Sequence, residues 1–141
     1  MNENSKAQEF YHPDLLVIPE DDKAPYLTAY RCEECGKYWF PRLQVCPNCW
    51  SENLAKVPIN RKGTLYSFTI IRIGQPSMKT PCAVGFVDFP EGVRVCAQIE
   101  GEPGELMNSL MPGMEMEVTT GTIRVDEVTN QEIISYKFKT A

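Results

Sequence analysis

The chain has a single histidine, His12, among its 141 residues. Catalytic sites that set a histidine base beside an activated nucleophile therefore have little to draw on. No run of about 18 or more apolar residues occurs, so no segment reads as a membrane-spanning helix. Met1 to Glu9 is polar and lacks the apolar core of a signal peptide. The expectation is a cytoplasmic protein with no membrane contact. Low-complexity tracts and repeats of solenoid length are also missing. What remains is an ordinary globular composition, 43% hydrophobic and 10% aromatic, at a length that suits one compact domain plus a small module.

Positive charge is the minority, with 14 Lys and Arg against 19 Asp and Glu and a formal net charge of −5. An acidic whole argues against a long nucleic-acid footprint, whose affinity rests on neutralising phosphates. The charge is uneven, however. Arg31 to Lys79 holds eight Lys or Arg against three Glu, and the remainder holds six against sixteen. A basic middle suits a small phosphorylated ligand, and equally a solvated face with no ligand.

From Met1 to about Thr28, acids alternate with Pro13, Pro19 and Pro25, which interrupt any long helix. This stretch reads as an arm (1–29), and its apolar cluster Leu15 to Ile18 can dock on its own domain or on a partner. After Pro58 the pattern becomes alternation rich in β-branched and aromatic residues. Strands are expected at Gly63–Ile73, Cys82–Phe89 and Val93–Glu100, with a hairpin turn at Phe89-Pro90-Glu91-Gly92. A short helix over Gly104–Leu110 follows, ended by Pro112 and Gly113. Met114–Val128 and Gln131–Lys139 supply two more strands. A mainly β protein results, whose C-terminal part (58–141) has the five strands of a small Greek-key barrel of the oligonucleotide/oligosaccharide-binding (OB) type or of an open sandwich.

Between arm and barrel (30–57) lie four of the six cysteines, as Cys32-Glu-Glu-Cys35-Gly36 and Cys46-Pro47-Asn48-Cys49. Two residues between thiolates let a tight turn aim both sulfurs at one ion, and two such turns complete a tetrahedron. Gly36 can take the positive φ such a turn often demands. A reduced compartment disfavours a pair of disulfides. Zinc is the expected metal and iron its chemical competitor, since four thiolates suit both. With every position filled by protein, one zinc ion would be structural. The remaining Cys82 and Cys96 read as small buried hydrophobes in strands.

Taken in order, Tyr30-Arg31-Cys32, the Phe40-Pro41-Arg42 link, Cys46-Pro47-x-Cys49 and Gly63-Thr64-Leu65-Tyr66-Ser67-Phe68-Thr69 resemble the family of acyl-CoA-associated proteins that join a rubredoxin-like zinc ribbon to a C-terminal OB-fold. Pro81, Asp88, the Glu91-Gly92-Val93-Arg94 turn, Gly113 and Tyr136-Lys137-Phe138 fit it too, over roughly Tyr30 to Lys139. The resemblance implies a non-catalytic auxiliary subunit that pairs with a thiolase-like enzyme and helps hold the CoA portion of its substrate. Lipid, steroid and aromatic-acid breakdown are the implied settings, a thiolase acting on an aryl-substituted acyl-CoA among them. CoA carries phosphates and an adenine, so Arg or Lys and an aromatic ring are plausible receptors. The candidates are Arg42, Phe40, Arg61, Lys62, Arg72 and Lys79. Two other functions compete: a single-strand nucleic-acid binder using Tyr66 or Phe68 as a stacking platform, and a rubredoxin-like iron electron carrier.

Overall fold

A computed structural model describes residues 8–10, 15–19, 24–74 and 77–141. His12 and most of the polar start of the chain lie outside the described residues. Among the described residues, ten strands and one helix follow in order: β1 Gln8–Phe10, β2 Leu16–Val17, β3 Tyr26–Cys32, β4 Tyr38–Trp39, β5 Leu54–Pro58, β6 Lys62–Ile71, β7 Cys82–Asp88, β8 Arg94–Ile99, α1 Pro103–Ser109, β9 Glu115–Val125 and β10 Glu132–Thr140.

The alternation after Pro58 folds as expected. β6, β7 and β8 form an antiparallel meander, β9 returns beside β6, and β10 pairs with both β9 and β8, which closes a five-stranded barrel. Closure, which the periodicity left undecided against an open sandwich, removes the unpaired edges such a sandwich would expose. β1 adds to β10 in parallel, Gln8 facing Glu132. Inward positions of the strands supply Leu65, Val87, Val95, Met116, Val118 and Phe138, all buried. At the turn before β8, Phe89 N donates to Val93 O and Gly92 takes φ +98°, so the expected hairpin forms where Pro90 and Gly92 supply its geometry. Pro at the start of α1 costs no intrahelical hydrogen bond. Leu106 and Leu110 turn from the helix into the core.

Gly63, at the start of β6, is dictated by backbone space. A Cβ on Gly63 would lie 2.6 Å from the backbone oxygen of Asp88 and 2.6 Å from Val87 Cγ1. Backbone cannot yield as a flexible side chain does, so Gly63→Ala is expected to destabilise the protein by about 1–3 kcal/mol, the usual cost of overpacking. Urea unfolding of the metal-loaded protein reads this directly.

The ribbon sheet is built on β3, which pairs with β2, β4 and β5. The arm's prolines do not exclude strands: β3 begins just after Pro25. Leu15 and Leu16 are buried on the chain's own fold, and Thr28 donates both its backbone N–H and its hydroxyl to Leu15 O. Ribbon and barrel share one core. Leu16, Leu27 and Ala29 belong to the same buried cluster as Leu65, Val87 and Phe138, and Phe40 meets Tyr136 edge-on at 5.9 Å.

Arg61 staples the joint. Its Nε donates to Pro25 O at 2.9 Å, Nη1 to Glu117 Oε2 at 2.7 Å and Nη2 to Val118 O at 3.4 Å. Truncating it would leave the Pro25 and Val118 carbonyls without their side-chain donor and Glu117 with only Lys139, at 3.8 Å. Arg61→Ala is therefore expected to cost about 1–3 kcal/mol, visible as earlier loss of amide exchange protection at β3 and β9 than elsewhere.

Candidate metal centre and its surroundings

The two knuckles fold as near copies. Gly36 N donates to Cys32 O at 2.9 Å in the first, and Trp50 N donates to Cys46 O at 2.8 Å in the second. The residue after each second cysteine is left-handed, with φ +80° at Gly36 and +66° at Trp50. Flanking hydrogen bonds fix the loops: Cys32 N donates to Lys37 O, and Cys46 N to Ser51 O. All four Sγ atoms thereby lie within 4.8 Å of one another. Cys32 Sγ is 3.5 Å from Cys49 Sγ, and Cys35 Sγ is 3.6 Å from Cys46 Sγ. A tetrahedron with metal–sulfur bonds of about 2.3 Å has sulfurs about 3.8 Å apart, so the set fits one tetrathiolate ion.

The knuckles also prepare thiolates. At Cys32, hydrogen bonding from the Cys35 backbone, aided by that from Glu34, holds the thiol below its ordinary value. Burial opposes charge at Cys46, yet backbone hydrogen bonds from Cys49 and Asn48 bring it down to about 6. Cys49 is eased down by the Ser51 backbone, but its neighbour Cys32, with Cys35 and Cys46, pushes it up to about 12. A divalent cation held by these four sulfurs would favour their thiolate forms and release protons on binding. Cys32 and Cys46 are buried, Cys35 and Cys49 exposed, and a fully thiolate-filled ion has no open position for substrate.

The six residues considered for CoA do not share one cleft. Phe40 is packed against the core, and Arg42 is exposed in the ribbon. Arg61 is engaged as described, and Lys62 Nζ lies 3.7 Å from Glu115 Oε1 on the wall of a shallow groove with Gly63 and Asp88. Arg72, just after β6, is exposed with Nη2 3.7 Å from Met107 Sδ. Lys79 lines a different cleft, beside the β8–β10 seam.

Of the two stacking candidates, only Tyr66 faces out. A register shift between Leu65 and Ser67 flips the phase of β6, so Phe68 packs against the core. Arg94 lies over the Tyr66 ring at 3.5 Å and forks onto Asp88 at 2.6 and 3.0 Å, so its charge is already matched by a carboxylate. Cys96 is exposed, contrary to the buried position expected for it, because Val93 and Val95 take the inward positions of that segment. Cys82 is half-buried, and burial pushes its thiol up while the Lys137 ammonium opposes the shift.

A four-thiolate ribbon set on a closed OB barrel defines the class of protein. The family model described as the ChsH2 rubredoxin-like zinc ribbon domain matches residues 20–55, and that of the ChsH2 C-terminal OB-fold domain matches residues 56–121. Benzoylsuccinyl-CoA thiolase subunit BbsA of Thauera aromatica is 49% identical over 130 residues, spanning 92% of this chain and 87% of that protein. Its namesake from Geobacter metallireducens is 46% identical over 92% of this chain and 85% of its own length. A DUF35 domain-containing scaffold protein of Methanothermobacter thermautotrophicus is 32% identical over 80% of this chain and 84% of its own. The chain belongs to this family of zinc-ribbon and OB-fold proteins. The solved structure named Ltp2-ChsH2(DUF35) aldolase matches with TM-score 0.64 at 22% identity, covering 82% of this chain and 84% of that one, a likeness of fold alone.

Proposed function

We propose that the chain is a non-catalytic subunit with one structural zinc that assembles with a larger thiolase-like enzyme and helps hold an acyl-CoA, in lipid, steroid or aromatic-acid breakdown. The observation that carries this reading is the 49% identity over 92% of the chain to a protein named a thiolase subunit. An aryl-substituted acyl-CoA is the substrate class it favours. The physical features agree: four gathered thiols fit one metal ion with no position left for substrate. In this reading residues 1–29 act as a docking arm, 30–57 as the ribbon and 58–141 as the barrel. Arg42 heads the CoA contacts because it is exposed beside the ribbon, with Lys79 and Arg72 next. Phe40, Arg61 and Lys62 take part through their positions at the ribbon–barrel joint. The protein works in the cytoplasm.

The test is purification from the native host with associated chains, identified by mass spectrometry, and metal analysis of the same sample. A thiolase-sized partner with about one zinc per small chain supports the proposal. A protein that purifies alone, or with bound nucleic acid or iron, overturns it.

A further inference from the structure

The barrel is not closed evenly. β9 and β10 pair along their length, whereas β8 and β10 share one register pair, Ile99 with Phe138. Side chains finish that seam: Gln98 Nε2 donates to Ile123 O at 3.1 Å, and Lys137 Nζ donates to Glu100 Oε1 at 3.1 Å and to Thr122 O at 3.4 Å. Beside the seam opens a cleft of about 550 Å³, between the segment leading into β7, the β8–α1 link and the end of β9. Gly121 leaves room for the Glu100–Lys137 pair, since a Cβ there would lie 2.8 Å from Glu100 Oε2 and 2.9 Å from Lys137 Cδ.

Three cations line this space: Lys79, Arg124 and Lys137. The Lys137 side chain is only 10% exposed. An ammonium has three N–H groups, and two of these have the acceptors just named, which leaves one for whatever enters the cleft. Neither the Lys79 nor the Arg124 side chain makes a hydrogen bond or salt bridge among the described residues. The nearby carboxylates are partly committed: Glu100 to Lys137, and Asp126, close to Arg124, to the amides of Val128 and Thr129 at 2.8 and 3.1 Å. Glu102, also on the wall, is the remaining acid. Pro81, Pro103 and Ile123 supply apolar surface. The volume lies within the range of small-ligand sites, about 300–1,000 Å³.

We propose that this cleft binds a small organic phosphate, with Arg124 and Lys79 on the phosphate oxygens, the spare Lys137 N–H beside them and the ligand's body against the prolines. A guanidinium fork and an ammonium are the side chains that meet phosphate oxygens best. The inference shares Lys79 with the acyl-CoA reading but does not rest on it, because it requires no partner enzyme and the cleft's chemistry suits a nucleotide other than CoA equally.

The test uses the full metal-loaded chain, titrated calorimetrically at low ionic strength with ADP and with inorganic pyrophosphate. The expected result is saturable one-site ADP binding, weakened about tenfold or more by Arg124→Gln and several-fold by Lys79→Gln. Lys56→Gln, at an exposed position of β5 in the ribbon, should leave it unchanged. Equal unfolding temperature and metal content among the variants show that the fold is intact. Pyrophosphate binding more weakly than ADP supports contact with the body. Displacement of ADP by free CoA identifies the phosphate as the CoA tail, and no displacement identifies a separate nucleotide, the cleft standing in either case. Lack of saturation, equal affinity in Arg124→Gln and Lys79→Gln, or equal weakening by Lys56→Gln overturns the inference. Whether a thiolase-like partner co-purifies is a separate readout, so the two proposals fail separately.

Discussion

Replacing Cys46 with serine is expected to strip the ribbon of its metal and unfold it. Cys46 is fully buried, and its backbone anchors the second knuckle through Trp50 N and Ser51 O. A serine hydroxyl at that position is a poor ligand for a borderline-soft ion, and three thiolates cannot close the tetrahedron. Structural zinc in ribbon-sized modules contributes roughly 10–16 kcal/mol of binding free energy that is inseparable from folding. Losing a large part of that exceeds any ordinary side-chain change. The consequence reaches the barrel because Leu27, Ala29 and Phe40 pack into the shared core. Metal analysis should show little bound ion in Cys46→Ser, and amide exchange should show β3, β4 and β5 open while β7 and β8 stay protected longest. Chelation of the wild-type protein should give the same pattern. Cys82→Ser and Cys96→Ser, at positions remote from the cluster in sequence, should keep about one ion per chain. A Cys46→Ser protein with full metal content and unchanged exchange would show that the cluster does not hold the ribbon together.

The ribbon was legible in the sequence because its information is local: two residues between cysteines, a glycine after one pair, and a hairpin-length gap. Most of the barrel was legible too, since alternation reports directly which side of a strand is wet. What escaped depends on register. The shift between Leu65 and Ser67 reverses inside and outside for the rest of β6, turning Phe68 from a platform into core. Nothing in the residue types announces that reversal. Cys96 faces out because its neighbours Val93 and Val95 face in, a one-residue question that a short apolar run leaves open. The pairing of β3 with β2, β4 and β5 joins segments separated in the chain, so the arm's share in the ribbon sheet was hidden by its prolines. The seam cleft is likewise a product of closure. Lys79, Arg124 and Lys137 are scattered in sequence and come together because β8 and β10 meet at one register pair.

Trp50 joins the knuckle geometry to assembly, and Trp50→Gly is expected to strengthen the isolated chain while weakening the complex. The first knuckle places glycine at its left-handed position; the second places tryptophan there, at φ +66°. For a residue with a Cβ that conformation costs about 1–2 kcal/mol, of which glycine's greater freedom when unfolded returns about 0.5–1. The indole gives little in exchange within this chain, being 79% exposed. Isolated Trp50→Gly should therefore be more stable by up to about 1 kcal/mol, measured by denaturation at fixed metal occupancy. A strained conformation kept at an exposed tryptophan fits an interface anchor, since tryptophans buried on binding rank among the residues that carry most binding energy between proteins. If the ribbon docks on a thiolase-like subunit through Trp50, the same substitution should raise the dissociation constant of the complex about tenfold or more. Trp50→Phe, which keeps a ring and the left-handed strain, should recover part of the affinity and none of the stability. A complex that forms equally well with Trp50→Gly would place the interface elsewhere on the chain, and an isolated variant no more stable than wild type would show that the indole's contacts with the knuckle outweigh the strain.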